Sequence, residues 1–198
     1  MTDLTIIKGS TFSRVIRWES LPFIYTSITA ITKAAPAVIT ATGHGLKTGW
    51  RAAVLSVGGM RQIKSKNTPP RAGEFHKVTN VSSSQVNFND VDSTDYTTYT
   101  SGGFLCSYTP VSLASFTARM KIRATALSTT ELVSLTSSSG ITLDDTEHTI
   151  TVVLTAAQTA AYTFSVGVYD LELVSGSATP VVTKLLSGNV IVTDEVTW

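Results

Sequence analysis

The segment 116–123 of this chain alternates apolar and polar side chains without a break. It reads Phe-Thr-Ala-Arg-Met-Lys-Ile-Arg, and three of the four polar positions are cationic. A period of two is the geometry of a β-strand, in which successive side chains point to opposite faces. One apolar and one charged face are typical of an antiparallel sheet that covers a core on one side and meets water on the other. The segment therefore predicts a half-buried strand.

The composition of the whole chain fits a folded β protein. Of its 198 residues, 42% are hydrophobic and 15% are charged, which is the balance of a globular protein with a core. Ser and Thr are abundant and long helix-forming side chains are sparse, which favours strands. Many short strand-like stretches are separated by turn residues, and this pattern predicts an all-β sandwich or barrel.

The charge and the apolar runs argue against two classes of partner. A formal net charge of +1 gives no overall field that would attract a nucleic acid or an anionic membrane. No apolar run approaches the roughly 18 residues that a spanning helix needs. The first residues show no basic stretch followed by an apolar one, so we expect no signal peptide. Neither nucleic acid nor membrane is an expected partner.

The chain has a single cysteine, Cys106, which excludes an intramolecular disulfide. It lies between apolar and aromatic residues in a strand-like stretch. That setting favours a small buried side chain over a reactive thiol. We expect the chain to be made and folded in a reducing cytoplasm.

The turn pattern divides the chain into two domains. Residues 27–103 carry their own series of short strands, including a turn at Gly43-His44-Gly45 that calls for positive φ. The flanking segments are interpreted as one unit that this stretch interrupts. We therefore predict a discontinuous domain formed by residues 1–26 and 104–198, with residues 27–103 inserted into it. Insertions are best tolerated at loop tips whose ends lie close together.

Two local patterns predict individual elements. Phe75–Val81 and Gln85–Phe88 are separated by three serines, which predicts a β-hairpin. Thr155 is followed three residues later by Gln158, which is the spacing of a helix capping box. A single helical turn through Ala161 is therefore expected.

The sequence contains no pattern that predicts catalysis. The three histidines lack ligand spacing to another His, Cys or acidic pair: His44, His76 and His148. Asp144, Asp145 and Glu147 could bind a hard cation, but the spacing lacks the closing glutamate of a dedicated loop, which favours a solvated turn. No phosphate-binding glycine loop and no Gly-x-Ser-x-Gly elbow is present. We expect no enzymatic activity and no cofactor.

Two groups of cations are candidate contact residues for a partner. The first is the cationic row of the predicted strand: Arg119, Lys121 and Arg123. Like charges on an exposed strand commonly protect a sheet edge from pairing, but this row could also meet an acidic neighbouring subunit.

The second group lies in a proline-containing loop: Lys64, Lys66 and Arg71. This loop could be a solvated connection, a protein-binding loop, or a contact for nucleic acid or a phosphorylated glycan. It lacks interleaved aromatic residues for stacking on bases, which argues against nucleic acid.

Both chain ends offer further candidates. Trp198 could fold back onto the core or be an anchor buried in a partner. The N-terminal residues Met1–Leu4 could add a strand to a neighbouring subunit.

Four flanking segments resemble the immunoglobulin-like β-sandwich of tailed-phage structural proteins, as in the N-terminal domain of baseplate upper proteins and tail-fibre adaptors. They are residues 5–18, 110–123, 167–174 and 185–192. The middle, residues 28–103, resembles the small β-barrel module first named in ubiquitin-activating enzymes and reused in phage proteins. Adenylation and thioester residues are absent, so that name implies no such activity here. The resemblance implies an all-β fold: an immunoglobulin-like β-sandwich with an inserted small β-barrel domain.

The same resemblance implies a structural component of a tailed-phage virion. The expected role is a tail, baseplate or tail-fibre attachment protein that forms a homo-oligomer and docks on other virion proteins. It would be assembled in the cytoplasm of the bacterial host. A capsid decoration or head-vertex protein is an alternative, which copy number would distinguish. A host-glycan-binding module is a second alternative, motivated by Tyr96 and Tyr99 in loops.

Overall fold

The protein is described by a computed structural model that covers residues 2–195. Its strands are β1 (Leu4–Ile7), β2 (Phe12–Arg17), β3 (Glu19–Ser27), β4 (Ala30–Ile31), β5 (Ala37–Thr40), β6 (Arg51–Leu55), β7 (His76–Ser82), β8 (Gln85–Phe88), β9 (Phe104–Pro110), β10 (Phe116–Arg123), β11 (Glu131–Thr136), β12 (Ile141–Asp144), β13 (Thr149–Leu154), β14 (Val166–Ser175) and β15 (Val182–Thr193). One short helix, α1 (Ala156–Ala160), and two 3₁₀ turns, Arg61–Ile63 and Ala72–Glu74, complete the described elements. The predicted all-β fold class is confirmed.

The chain divides into two compact units. Glu19–Pro110 forms the inserted unit, and the described residues on either side of it form the sandwich unit. The borders differ from the predicted 26/27 and 103/104. The difference arises because β3 and β9 pair with each other from Glu19↔Pro110 to Ser27↔Phe104, which places both strands wholly in the inserted unit.

The sandwich unit consists of two sheets. One has five strands in the order β1-β15-β14-β10-β11, and the other has three in the order β12-β13-β2. β1 pairs with β15 in parallel, and the other strand pairs of this unit are antiparallel. From β2 onwards, the strands of this unit correspond in chain order to strands B, C, C′, D, E, F and G of an immunoglobulin-like sandwich. Strands B, E and D form the three-stranded sheet, and strands C, C′, F and G belong to the five-stranded sheet. The inserted unit occupies the connection between strands B and C.

The core of the sandwich unit lies between its two sheets. Alternate residues of the strands point inward. Leu4 and Ile6 of β1 are buried while the residues next to them are exposed, and in β13 every second residue from Ile150 to Leu154 is buried. Burial of these side chains removes apolar surface from water and stabilises the unit. Buried residues in this cluster include Ile6, Met120, Ile122, Leu135, Ile150, Leu154, Leu171 and Leu173.

The inserted unit is built on one seven-stranded antiparallel sheet with the order β3-β9-β6-β7-β8-β5-β4. This sheet is a half-barrel, and the unit has its own hydrophobic cluster. The buried residues of the cluster include Ile39, Trp50, Met60, Val78, Phe88 and Leu105. Each unit thus has a separate core.

The two local predictions are confirmed. β7 and β8 form an antiparallel hairpin. Helix α1 begins after Thr155, whose side chain accepts a hydrogen bond from the Gln158 backbone N–H at 3.2 Å, while the Gln158 side chain accepts one from the Thr155 backbone N–H at 2.8 Å. The reciprocal pair satisfies two backbone donors that a helix start otherwise leaves unbonded. The glycines of the turn around His44 have φ of 76° and 65°, the positive values expected there.

Candidate functional site

The cationic row lies on the outer face of the five-stranded sheet. The alternation predicted for residues 116–123 is present, because Met120 and Ile122 are buried in the core while Arg119, Lys121 and Arg123 point away from it. β10 pairs with β11 on one side and with β14 on the other. The row therefore does not protect a sheet edge.

Carboxylates of β14 contact cations of both neighbouring strands, β10 and β15. Arg119 Nε donates to Glu172 Oε2 of β14 at 2.8 Å. On the far side of β14, Lys184 Nζ of β15 donates to Asp170 Oδ2 at 2.8 Å. This hydrogen bond to the carboxylate raises the pKa of Lys184.

Glu131 of β11 contacts the other two cations of the row. Lys121 Nζ donates to Glu131 Oε1, and Arg123 Nη2 lies 3.5 Å from the same oxygen. The hydrogen bond from Lys121, together with the charges of both cations, lowers the pKa of Glu131. Arg123 Nη1 also donates to the Ser128 backbone carbonyl at 2.8 Å, which ties the loop between β10 and β11 to the row.

The outer face carries its charges in stripes that follow the strands. β11 contributes a carboxylate, β10 three cations, β14 two carboxylates and β15 a cation. In register, Arg119 lies beside Glu172 and Lys121 lies beside Asp170. The central pair of strands, β10 and β14, thus presents a cationic stripe next to an acidic one.

A groove of about 490 Å³ runs along this face. β14 forms its floor with Val168, Asp170 and Glu172. The long side chains of the cationic row form one wall, and β15 forms the other with Lys184, Ser187 and Asn189. The groove is thus lined by the cations of β10 beside the carboxylates of β14.

One end of the outer face is apolar. Val166 of β14 is 65% exposed and pairs in register with Ile191 of β15, which is also exposed. Leu127, in the loop between β10 and β11, is 95% exposed. Single exposed apolar residues are ordinary. Here the three lie at the same end of one sheet. Thr125 and Ala126, which precede Leu127 in its loop, line the groove together with Val168 of β14.

The second group of predicted contact residues lies in the inserted unit. Lys64, Lys66 and Arg71 are exposed. Among the described residues none of the three forms an ion pair with a carboxylate. They lie in the loop between β6 and β7 of the inserted unit, whereas the cationic row belongs to the sandwich unit.

The loop that carries these cations is organised by Glu74. Its carboxylate accepts hydrogen bonds from the backbone N–H groups of Arg71 at 2.7 Å, Lys66 at 2.6 Å and Asn67 at 3.1 Å. The Asn67 side chain donates a further one at 3.0 Å. These donors, that of Arg71 foremost, stabilise the charged form and lower the pKa of Glu74 to about 2.

We expect the loop to retain this arrangement until the solution is strongly acidic. The pKa is depressed on folding, so its contribution to stability is present above the ordinary value of 4.5 and is lost as the pH falls towards 2. In an NMR titration, the amide resonances of Lys66, Asn67 and Arg71 should shift with a midpoint near 2. Glu74→Gln should accelerate hydrogen exchange of the same amides at neutral pH, whereas Glu147→Gln in the other unit should not. A midpoint near 4.5 would contradict the assignment.

The predictions for the chain ends have different outcomes. Trp198 lies outside the described residues. The N-terminal segment pairs within its own chain: Thr2 N–H donates to the Ser187 carbonyl at 2.9 Å, and Leu4 begins the parallel pairing with Val190. The described part of this segment thus leads into β1, the edge strand of the five-stranded sheet.

The histidines and the acidic turn are engaged in local contacts. His44 is buried, with Nε2 at 2.9 Å from the Ser82 carbonyl and Nδ1 accepting from Leu46 N–H at 3.0 Å. His76 Nδ1 lies 3.0 Å from Asp90. In the acidic turn, Asp144 accepts two backbone N–H bonds, and the Asp145 carboxylate accepts from the Leu113 N–H and the Ser112 hydroxyl. Within residues 2–195 no group of three His, Cys, Asp or Glu side chains could hold a metal ion.

The sequence analysis missed an aromatic cluster in the inserted unit. Its rings lie at centroid distances of 4.7 to 6.4 Å from one another: Phe23, Tyr25, Phe75, Phe104 and Tyr108. Arg51 lies 5.7 Å from the ring centre of Tyr108, within cation–π range. Spacings of two residues in β3 and four in β9 place these aromatic residues on one face, and this periodicity was visible in the sequence.

Tyr96 and Tyr99, which motivated the glycan hypothesis, do not belong to this cluster. Both pack against the core of the inserted unit. The Tyr99 hydroxyl shares its proton between the Ile28 and Gly102 carbonyls, which lie at 3.1 and 3.0 Å. The two tyrosines therefore stabilise the loop in which they lie.

Comparison of the chain with protein-family models and with curated proteins finds no match. In residues 2–195, none of the helices has the length and apolar character required to cross a membrane. The class that the described features define is therefore that of the fold: an all-β protein with a sandwich and an inserted β unit.

Proposed function

We propose that this protein is a structural component of a tailed-phage virion, acting as a tail, baseplate or tail-fibre attachment protein through protein–protein docking. The observation that carries the proposal is the insertion of a second β unit between strands B and C of an immunoglobulin-like sandwich. This architecture agrees with both halves of the resemblance to phage proteins. It gives one chain two separate cores and two sets of exposed surfaces.

The exposed surfaces support docking as the mode of action. The outer face of the five-stranded sheet combines a charged groove with an apolar end. The inserted unit adds an aromatic cluster in which Tyr25 and Phe104 are exposed. Interfaces between proteins are enriched in aromatic residues and Arg, with polar groups around them.

Quantitative mass spectrometry of particles purified from the bacterium that carries the gene tests this proposal. The expected result is that the protein copurifies with particles at a few to some tens of copies per virion. Hundreds of copies would instead support the capsid decoration alternative. Absence of the protein from particles, while it is present in the lysate, would contradict both.

The aromatic cluster favours one second candidate, the host-glycan-binding module. Exposed aromatic rings next to a charged side chain can stack on a sugar ring and hydrogen-bond its hydroxyls. The cluster offers the exposed rings of Tyr25 and Phe104 for stacking, and Arg51 beside Tyr108 for hydrogen bonding, in place of Tyr96 and Tyr99. A glycan array with the purified protein separates the candidates, since binding to no glycan removes this one.

A further inference from the structure

We propose that the outer face of the five-stranded sheet binds the same face of a second copy of this chain. The two copies are related by a two-fold axis that lies in the interface, runs parallel to β10 and β14 and is centred on the gap between these two strands. The inference goes beyond the proposed function, because it specifies a contact that purified protein makes without any virion. It rests on charge, shape and apolar exposure that all follow the same axis.

The charge pattern is complementary to itself under this axis. A two-fold rotation about a line between two strands places β10 of one copy over β14 of the other, at unchanged height along the strands. Because Arg119 is in register with Glu172, and Lys121 with Asp170, these two cations then face carboxylates of the partner copy, while Arg123 lies over Val168. The rotation generates every such contact twice, as in any isologous interface.

These charged groups remain accessible to a partner despite their contacts within the sheet. The side chains of Arg119, Lys121 and Asp170 are 49%, 42% and 45% exposed, and that of Glu172, which Arg119 contacts, is 23% exposed. Arg119 uses its Nε–H for Glu172, and a guanidinium carries four further N–H donors. Exposed ion pairs within one sheet contribute little to stability, so a second carboxylate can share these cations at small cost.

The shape of the face agrees with the charge pattern. The groove is lined by the carboxylates of β14 and, beside them, by the cationic row of β10. The same rotation that aligns the charges places the cationic row of each copy over the groove of the other. The groove volume of about 490 Å³ accommodates these long side chains.

The exposed apolar residues also meet under this axis. The register that pairs Arg123 with Val168 places residue 125 level with Val166. The loop that follows β10 therefore lies over Val166 and Ile191 of the other copy, and this loop carries Leu127. Burial of side chains as exposed as Leu127 and Val166, at 95% and 65%, supplies the apolar contact that charged surfaces lack.

Sedimentation velocity of paired charge variants tests the proposal. Variant one carries Arg119→Glu and Lys121→Glu, and variant two carries Asp170→Lys and Glu172→Lys. The wild type should dimerise with rising concentration. Each variant alone places like charges against each other and should dimerise at least roughly tenfold more weakly. An equimolar mixture should restore the dimer, because each altered row then faces its opposite charge.

The controls separate loss of the contact from loss of the fold. Far-UV circular dichroism and thermal melting of each variant should match a folded β protein. Leu127→Ser should weaken the dimer, whereas Val81→Ser, which alters an exposed apolar residue of the inserted unit, should not. A wild type that stays monomeric at high concentration, or a mixture that does not restore the dimer, overturns the proposal. The copy number in particles is measured separately, so this failure leaves the proposed function standing.

Discussion

Ile122→Ala should destabilise the sandwich unit by about 2–5 kcal/mol, while Lys121→Ala, one residue earlier, should cost about 1 kcal/mol or less. The contrast follows from the alternation of β10. Ile122 is fully buried against the core, so its truncation leaves a cavity, whereas Lys121 is an exposed cation in a surface ion pair. Both variants change the same strand by a truncation to alanine.

Hydrogen exchange measures this difference within one unit. The slowest amides of β14, which pairs with β10 along its length, report the opening free energy of the sandwich. The slowest amides of β6 and β8 in the inserted unit serve as an internal control and should not change. Equal losses for the two variants would contradict the placement of Ile122 in the core and of Lys121 outside it.

Removal of the inserted unit should leave a folded sandwich. The Val111 N–H donates to the Trp18 carbonyl at 3.0 Å, so the two ends of the remaining chain are adjacent. A short glycine–serine linker in place of Glu19–Pro110 can span that distance, in the way that two-residue turns join antiparallel strands. Trp18 keeps its edge-to-face contact with Phe116, at 5.5 Å between ring centres.

The converse fragment should fold as well. In the isolated segment Glu19–Pro110, the first and last strands pair with each other, so the ends are held by the sheet itself. Circular dichroism should show β structure in both products, and each should unfold cooperatively. If either product is unfolded under native conditions, the two cores are not independent.

Local sequence patterns predicted the elements whose cause is local. The alternation of 116–123 determines which face of β10 is buried, and the spacing of Thr155 and Gln158 determines the start of α1. Both depend on residues within one turn or one strand. The insertion itself followed from a change in turn pattern.

The remaining features depend on contacts between distant parts of the chain. Glu172 contacts Arg119 from 53 residues away, so the charge stripes of the outer face become visible only when β14 and β10 are paired. The predicted inserted unit, residues 27–103, is eight residues too short at its start and seven at its end. The reason is that no local sequence pattern indicates that β3 and β9 pair with each other. Glu74 likewise organises its loop through backbone donors that a sequence pattern does not display.

The parallel pairing of β1 with β15 determines how the sandwich carries mechanical load. Because the two strands run in the same direction, a pull on the chain before Leu4 and after Thr193 draws them past each other along their length. The hydrogen bonds of the ladder are then loaded together in shear, and they resist more than bonds that open one at a time. Both ends of the inserted unit leave the sandwich side by side, so this tension bypasses it until the sandwich itself opens.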